Sequence, residues 1–208
     1  MTLVKICGIT NLEDAFGAVA SGADMLGFNF FSQSPRYIAP EAAKRIVNEL
    51  PDHVMTIGVF VNQSTPDEVV EIASIAGVAG VQLHGDETPD YCAAVKGAYI
   101  VKALAIGDDF LPDVINDYAV DAILLDAKHQ TLRGGTGTVA NWSSAKETAR
   151  LGKKIILAGG LSPSNVEEAI RVVEPYAVDA CSSLERTLGI KDESLVRQFV
   201  HLAHAVKA

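Results

Sequence analysis

Two residues that end apolar segments could supply acid and base chemistry. Cys7 closes the apolar run 3–7, and a thiol there could act as a base or nucleophile if its pKa were lowered from about 8.5. The competing interpretation is a small buried hydrophobic residue. Asp126 ends the apolar run 122–126, where a carboxylate is costly to bury unless it is hydrogen-bonded or used. Facing each other across one site, the two would form a base and acid pair.

Two short loops have the composition of an anion site. Gly159-Gly160 follows the apolar run 154–158, and Ser182-Ser183 follows the run 177–181. Loops of this kind bind phosphate through backbone amides. A glycine pair alone also fits any tight turn. The prediction of an anion site therefore depends on the position of the pair directly after an apolar run.

Arg36 and His84 are candidates for ligand contact. Arg36 lies in the SPRY segment 34–37, where a guanidinium could bind a carboxylate bidentately; a plain surface arginine is the alternative. His84 follows the apolar run 80–83 and could contact ligand or make a structural hydrogen bond. Lys5 shares the face of Cys7 and could help to bias the thiol or pair with an interior carboxylate, and we favour the pairing. Segment 133–138 (RGGTGT) lacks the lysine and spacing of a P-loop, and we interpret it as a flexible lid.

Short apolar runs and amphipathic stretches alternate along the whole chain. Predicted strands cover 3–7, 25–30, 55–61, 80–83, 99–104, 122–126, 154–158 and 177–181, and helix-like segments lie near 11–21, 40–50, 66–76, 88–96, 110–117, 142–151, 164–173 and 192–206. Eight repeats predict parallel βαβ units, in an open doubly wound sheet or a closed barrel. We favour an α/β fold with a single (β/α)8 barrel domain over residues 1–208. Functional residues should then lie at the carboxyl ends of the strands.

Composition excludes several classes of function. The 208 residues are 49% hydrophobic and 21% charged, as in a globular protein, and the net charge of −9 argues against nucleic acid or an anionic membrane as partner. The three cysteines form no C-x-x-C pair, so no zinc site or disulfide framework is expected. Without a signal-peptide pattern or an apolar run of about 20 residues, we predict a cytoplasmic protein.

These motifs together resemble phosphoribosylanthranilate isomerases of tryptophan biosynthesis nearly end to end. Nine segments arrive in family order: KICGIT (5–10), GFNF (27–30), SPR (34–36), GVFVN (58–62), VQLHG (81–85), LD (125–126), GGTG (134–137), AGGL (158–161) and GIKD (189–192). Departures are Ser183 where the family often has Gly or Ala, Asn141 for Asp, and Leu188 for Pro.

The resemblance implies an Amadori rearrangement of a phosphoribosylated anthranilate, a small phosphorylated substrate, without metal or organic cofactor. By family analogy Cys7 is the general base, Asp126 the general acid, Arg36 the partner of the anthranilate carboxylate, and the loops with Gly160 and Ser182-Ser183 hold phosphate. Rival interpretations are the histidine-pathway aldose–ketose isomerase, indole-glycerol-phosphate synthase, and a non-catalytic barrel that binds a phosphorylated ligand. The sequence leaves monomer and homodimer open.

Overall fold

In the computed structural model, the apolar runs of the sequence form eight parallel strands that close into a barrel. The structure describes residues 1–107, 109–126 and 137–206, and for residues 137–141 it describes the backbone only. Neighbours in the barrel follow chain order, and the first strand pairs with the eighth. The strands are β1 (Leu3–Cys7), β2 (Met25–Asn29), β3 (Met55–Phe60), β4 (Gly80–Leu83), β5 (Tyr99–Ala105), β6 (Ala122–Asp126), β7 (Lys154–Ala158) and β8 (Ala177–Ala180).

Helices between the strands cover the outside of the barrel. They are α1 (Leu12–Ala20), α2 (Pro40–Val47), α3 (Pro66–Ala76), α4 (Pro89–Ala94), α5 (Gly137–Ala149), α6 (Val166–Val173) and α7 (Glu193–Ala205). Capping explains several starts: the side chains of Asn11, Thr65, Thr88 and Asp192 each accept a hydrogen bond from a backbone N–H in the first turn. In the described part of the chain, none of the helices is long and apolar enough to cross a bilayer.

The prediction of a closed (β/α)8 barrel is confirmed, with local corrections. The helix-like segment 110–117 is a 3₁₀ helix, Pro112–Asp117, in which only Ile115 is fully buried, so it has too narrow an apolar face to anchor a longer α-helix. The eighth strand ends one residue early, and a 3₁₀ turn (Ser182–Leu184) follows. Next comes an unpredicted antiparallel hairpin of β9 (Glu185–Thr187) and β10 (Ile190–Lys191).

Strand alternation divides the side chains between two cores. The larger core packs the outer faces of the strands against the helices, and a smaller one fills the barrel with residues such as Met25, Ile57, Leu124 and Ile156. On each strand, every second side chain points into the barrel, up to the carboxyl end of the strand. On β6, Ala122 and Leu124 point inward, so Asp126 reaches the barrel mouth.

A buried ion pair outside the barrel holds the loops after β3 and β4. Lys102 Nζ lies 2.7 Å from Glu87 Oε2 and donates to the Gly85 carbonyl at 2.6 Å. The Glu87 carboxylate also accepts from the backbone N–H groups of Asn62, at 2.8 Å, and Gly85, at 2.9 Å. Because both charged side chains are almost fully buried, each depends on the other for compensation. The pair thereby fixes the loop that carries His84.

Replacing Lys102 by methionine should strongly destabilise the fold, because Glu87 would be left buried without a cation. We expect the free energy of unfolding, measured by urea denaturation, to fall by about 3–5 kcal/mol. Lys44→Met, at an exposed position of α2, is the matched control and should change it by less than about 0.5 kcal/mol. Equal effects of the two substitutions would contradict this account.

Candidate active site

The eight site residues proposed from the sequence line one cavity of about 440 Å³ at the carboxyl ends of the barrel strands. They are Cys7, Arg36, His84, Asp126, Gly159, Gly160, Ser182 and Ser183. A second cavity of about 510 Å³ adjoins it, shares His84 and Asp126, and extends over the loops after β3, β4 and β5. The barrel therefore brings residues from six different strand ends to a single mouth.

Cys7 lies at the end of β1 among cationic groups. The neighbouring Cys181 thiol is the strongest influence and lowers the pKa of Cys7 well below its usual range; burial opposes this, and the charges of Lys5 and Lys191 lower the pKa further. Lys5 is fully buried and its Nζ lies 3.0 Å from Asp179 Oδ1, which confirms the predicted pairing with an interior carboxylate. The site thus favours a thiolate at Cys7.

Asp126 lies beside His84 on the opposite side of the mouth. The distance from His84 Nε2 to Asp126 Oδ2 is 3.5 Å, and the Gln82 amide nitrogen lies 2.6 Å from His84 Nδ1. With this nitrogen as donor, Nδ1 is an acceptor and the ring proton of a neutral His84 lies on Nε2, toward Asp126. The imidazole can therefore hold the Asp126 carboxyl group in place.

Arg36 is held by a carboxylate that the sequence did not reveal. Its Nε and Nη2 donate to Glu185 Oε1 and Oε2, both at 2.7 Å, in a bidentate pair. Lys191 Nζ donates to the same Glu185 Oε1 at 3.2 Å and to the Cys181 carbonyl at 3.1 Å. Two cations thus share one carboxylate, and the β9–β10 hairpin fixes both Arg36 and the loop after β8.

The loops after β7 and β8, which the sequence analysis singled out, adjoin each other. Gly159 and Gly160 have φ values of +93° and +67°, which favour glycine. The Ser183 hydroxyl donates to the Leu161 carbonyl and so ties the two loops together. The first backbone amides of the 3₁₀ turn that begins at Ser182 have no acceptor within the turn. This arrangement suits an anion such as phosphate.

Gln82 and Cys181 line the mouth, and Glu185 and Lys191 hold Arg36 and the loop after β8, yet the sequence did not predict them as site residues. Gln82 and Cys181 carried a detectable signal, because strand alternation places each on the inward face of its strand. Glu185 carried none, since the hairpin that presents it has no periodic pattern, and Lys191 lay in the GIKD segment (189–192) without a site role assigned to it. Residues 133–136 of the predicted lid lie outside the described residues, and Gly137 and Thr138 begin α5.

Fold and site together define the class of protein: a (β/α)8 barrel with its reactive side chains at the carboxyl-end mouth, where enzymes of this fold have their active sites. A family model described as N-(5'-phosphoribosyl)anthranilate (PRA) isomerase matches residues 4–202. The N-(5'-phosphoribosyl)anthranilate isomerase of Trichlorobacter lovleyi is 48% identical over 203 residues, which cover 98% of each chain.

Solved structures agree with this match. The phosphoribosylanthranilate isomerase of Thermotoga maritima superimposes with a TM-score of 0.89 at 40% identity, over 99% of this chain and 100% of that one. The Thermus thermophilus enzyme gives 0.88 at 38% identity with the same coverage. The chain belongs to the N-(5'-phosphoribosyl)anthranilate isomerase family and is an enzyme of tryptophan biosynthesis.

Glu185→Gln should destabilise the protein in a pH-dependent way. Burial raises the pKa of Glu185, but the hydrogen bonds from Arg36 and the charge of Lys191 outweigh it, so the net shift is downward. A lowered pKa in the folded state stabilises the protein above the unfolded-state pKa of about 4.3, and this stabilisation is lost as the pH falls through the folded-state value. We expect the free energy of unfolding of the wild type to exceed that of the variant by roughly 1.5–3 kcal/mol at neutral pH.

The measurement is the free energy of unfolding of both proteins by urea denaturation at neutral pH and near pH 3. The difference should narrow in acid, because the protonated wild-type side chain resembles the amide. Glu49→Gln, at an exposed position after α2, serves as control and should differ little from wild type at either pH. If the difference in free energy of unfolding between wild type and Glu185→Gln is the same at both pH values, the charge-based explanation is wrong.

Proposed function

We propose that the barrel mouth catalyses the Amadori rearrangement of N-(5'-phosphoribosyl)anthranilate to 1-(2-carboxyphenylamino)-1-deoxyribulose 5-phosphate, with Cys7 as general base and Asp126 as general acid. The observation that carries this proposal is the pairing of a thiol whose pKa is lowered with a carboxyl group in one cavity. An acid and a base of different chemistry suit a reaction in which one proton is given and another is taken.

Asp126 acts first by giving its proton to the ribose ring oxygen. The bond from C1 to the ring oxygen breaks, and the lone pair of the anthranilate nitrogen forms a C1=N bond, which leaves an iminium ion. The His84 imidazole 3.5 Å from Asp126 can hydrogen-bond the carboxylate that results. Proton donation at this point removes the need for an alkoxide leaving group.

Cys7 then removes the proton on C2, which the iminium has made acidic. The C–H electrons form a C1=C2 bond and neutralise the nitrogen, so the intermediate is an enolamine. Ketone formation returns the Cys7 proton to C1 and the enol proton to Asp126, and both side chains regain their starting states. Each positioned proton transfer contributes typically ~10²–10⁴-fold to the rate.

Binding groups at the two ends of the substrate supply orientation. We assign phosphate to the loops with Gly159, Gly160, Ser182 and Ser183, and the anthranilate carboxylate to Arg36. Because Glu185 uses Nε and Nη2 of Arg36, Nη1 can still donate to a ligand. A solved phosphoribosylanthranilate isomerase, 38% identical with a TM-score of 0.85, holds reduced 1-(o-carboxyphenylamino)-1-deoxyribulose 5-phosphate, which supports this ligand class.

We propose a cytoplasmic enzyme that acts on a small phosphorylated substrate. A solved structure concerns monomers generated from the dimeric phosphoribosylanthranilate isomerase of Thermotoga maritima, which is 38% identical to this chain. That protein therefore forms a dimer, and for this chain monomer and homodimer are both kept as hypotheses.

Cys7→Ser and Asp126→Asn should each abolish most of the turnover, because each removes one proton transfer while keeping the side-chain volume. With freshly generated N-(5'-phosphoribosyl)anthranilate and its fluorescence loss as readout, we expect kcat to fall by at least about 10²-fold in either variant. Cys92→Ser changes a buried cysteine that does not line the mouth and is the matched control. A folded wild type that binds phosphorylated ligands without turnover would overturn the proposed function.

A further inference from the structure

A second cysteine is the neighbour of Cys7 across the seam that closes the barrel. Strands β1 and β8 pair in parallel with Lys5 opposite Asp179 and Ile6 opposite Ala180, so Cys7 and Cys181 are the next pair in this register. Paired residues of adjacent parallel strands lie about 4.8 Å apart, and their side chains point to the same face. Lys5 and Asp179 meet inside the barrel, and therefore the two thiols meet one layer above them.

Contacts around each sulfur support this placement. A Cβ added to Gly8, the residue after Cys7, would lie 2.9 Å from Cys181 Sγ. Lys191 Nζ lies 3.9 Å from Cys181 Sγ and donates to the Cys181 carbonyl oxygen at 3.1 Å. Both cysteines are free thiols and line the same cavity. The Cys181 side chain is thus held beside Cys7 by the strand register and by the β9–β10 hairpin.

We propose that Cys181 is a positioning residue for the base, whose S–H donates a hydrogen bond to the Cys7 thiolate and keeps that thiolate stable and aimed into the mouth. This inference rests on the proposed function only in calling Cys7 the base. Mere packing would require no donor at position 181, whereas a buried thiolate gains from each donor it can reach.

The direction of the hydrogen bond follows from the surrounding charges. Two adjacent thiols in a buried site do not both ionise, because like charges repel there. A cation lies beside each thiol: Lys5 Nζ and Cys7 Sγ both border Gly27, at 3.2 Å and 2.8 Å from the point where a Cβ would lie, and Lys191 Nζ lies 3.9 Å from Cys181 Sγ. Lys191 also donates to Glu185 Oε1 and to the Cys181 carbonyl oxygen. Because the charges of both Lys5 and Lys191 favour the anion at Cys7, we assign the thiolate to Cys7. The hydrogen bond to Cys7 and burial accordingly raise the pKa of Cys181 far above its usual range, and Cys181 keeps its proton.

Other ionisable groups also face the thiol pair and must be kept constant in a test. Among the described residues they come from β1, the loops after β2 and β4, β6, β8 and the β9–β10 hairpin, and they are Lys5, Arg36, His84, Asp126, Asp179, Glu185 and Lys191. A substitution at Cys181 leaves all of them in place. Any change in the titration of Cys7 then reports on the lost donor.

The test is the pH dependence of Cys7 alkylation by iodoacetamide in the free enzyme under reducing-agent-free, oxygen-free conditions, with the modified cysteine identified by peptide mass spectrometry. Cys181→Ala removes the donor, and Cys181→Ser restores a hydroxyl donor. We expect Cys181→Ala to lower the Cys7 alkylation rate on the acidic side of the profile by about tenfold, the ratio set by a charge-assisted hydrogen bond of about 1.4 kcal/mol. Cys181→Ser and the control Cys92→Ala should follow wild type.

The acidic limb of kcat/KM should move to higher pH in Cys181→Ala in parallel with the alkylation profile. An unchanged Cys181→Ala profile, or equal shifts in the alanine and serine variants, would overturn the inference. In wild type alone, faster alkylation of Cys181 than of Cys7 at neutral pH would also overturn it. If the alkylation profile shifts in Cys181→Ala but the wild type shows no turnover, the thiol pairing is supported and the proposed function is wrong.

Discussion

Pairing of β1 with β8 is the contact on which the site depends, because it closes the barrel by joining the first strand to the eighth. The register is fixed inside the seam by the buried pair of Lys5 and Asp179, whose atoms lie 3.0 Å apart. A slip of one residue would turn every side chain of the strand to the other face. Cys7 would then point into the helical layer, and Lys5 would lose its carboxylate.

Buried cations balance the carboxylates at the mouth, although the whole chain is acidic. The protein carries a net charge of −9, yet Lys5 and Lys191 are buried near Cys7 and each is paired with a carboxylate. Such pairs cost desolvation energy, and only good geometry offsets that cost. Held in this way, the lysines lower the pKa of the Cys7 thiol, and Glu185 keeps Arg36 oriented toward the cavity. Local arrangement, and not net charge, prepares the site for an anionic substrate.

Much of the fold, and the placement of the candidate site residues at one mouth, could be predicted because both follow short-range rules. Alternating apolar runs predicted the barrel, and the strand-end rule led to Cys7 and Asp126 without any knowledge of contacts. Glu185 could not be found in this way, since its partner Arg36 is 149 positions away in the chain and the hairpin that presents it has no periodicity. Segment 110–117 shows the opposite limit: its composition suggested a helix, but packing supports only a 3₁₀ turn around Ile115.

We expect one substrate to span the mouth with its reacting carbon between Cys7 and Asp126. A crystal structure of the protein with reduced 1-(o-carboxyphenylamino)-1-deoxyribulose 5-phosphate tests this most directly. The account predicts phosphate on the loops with Gly160 and Ser183, the anthranilate carboxylate on Arg36, and the sugar C2 within contact distance of Cys7 Sγ. A ligand bound in the reverse direction, or with C2 turned away from the thiol, would contradict it.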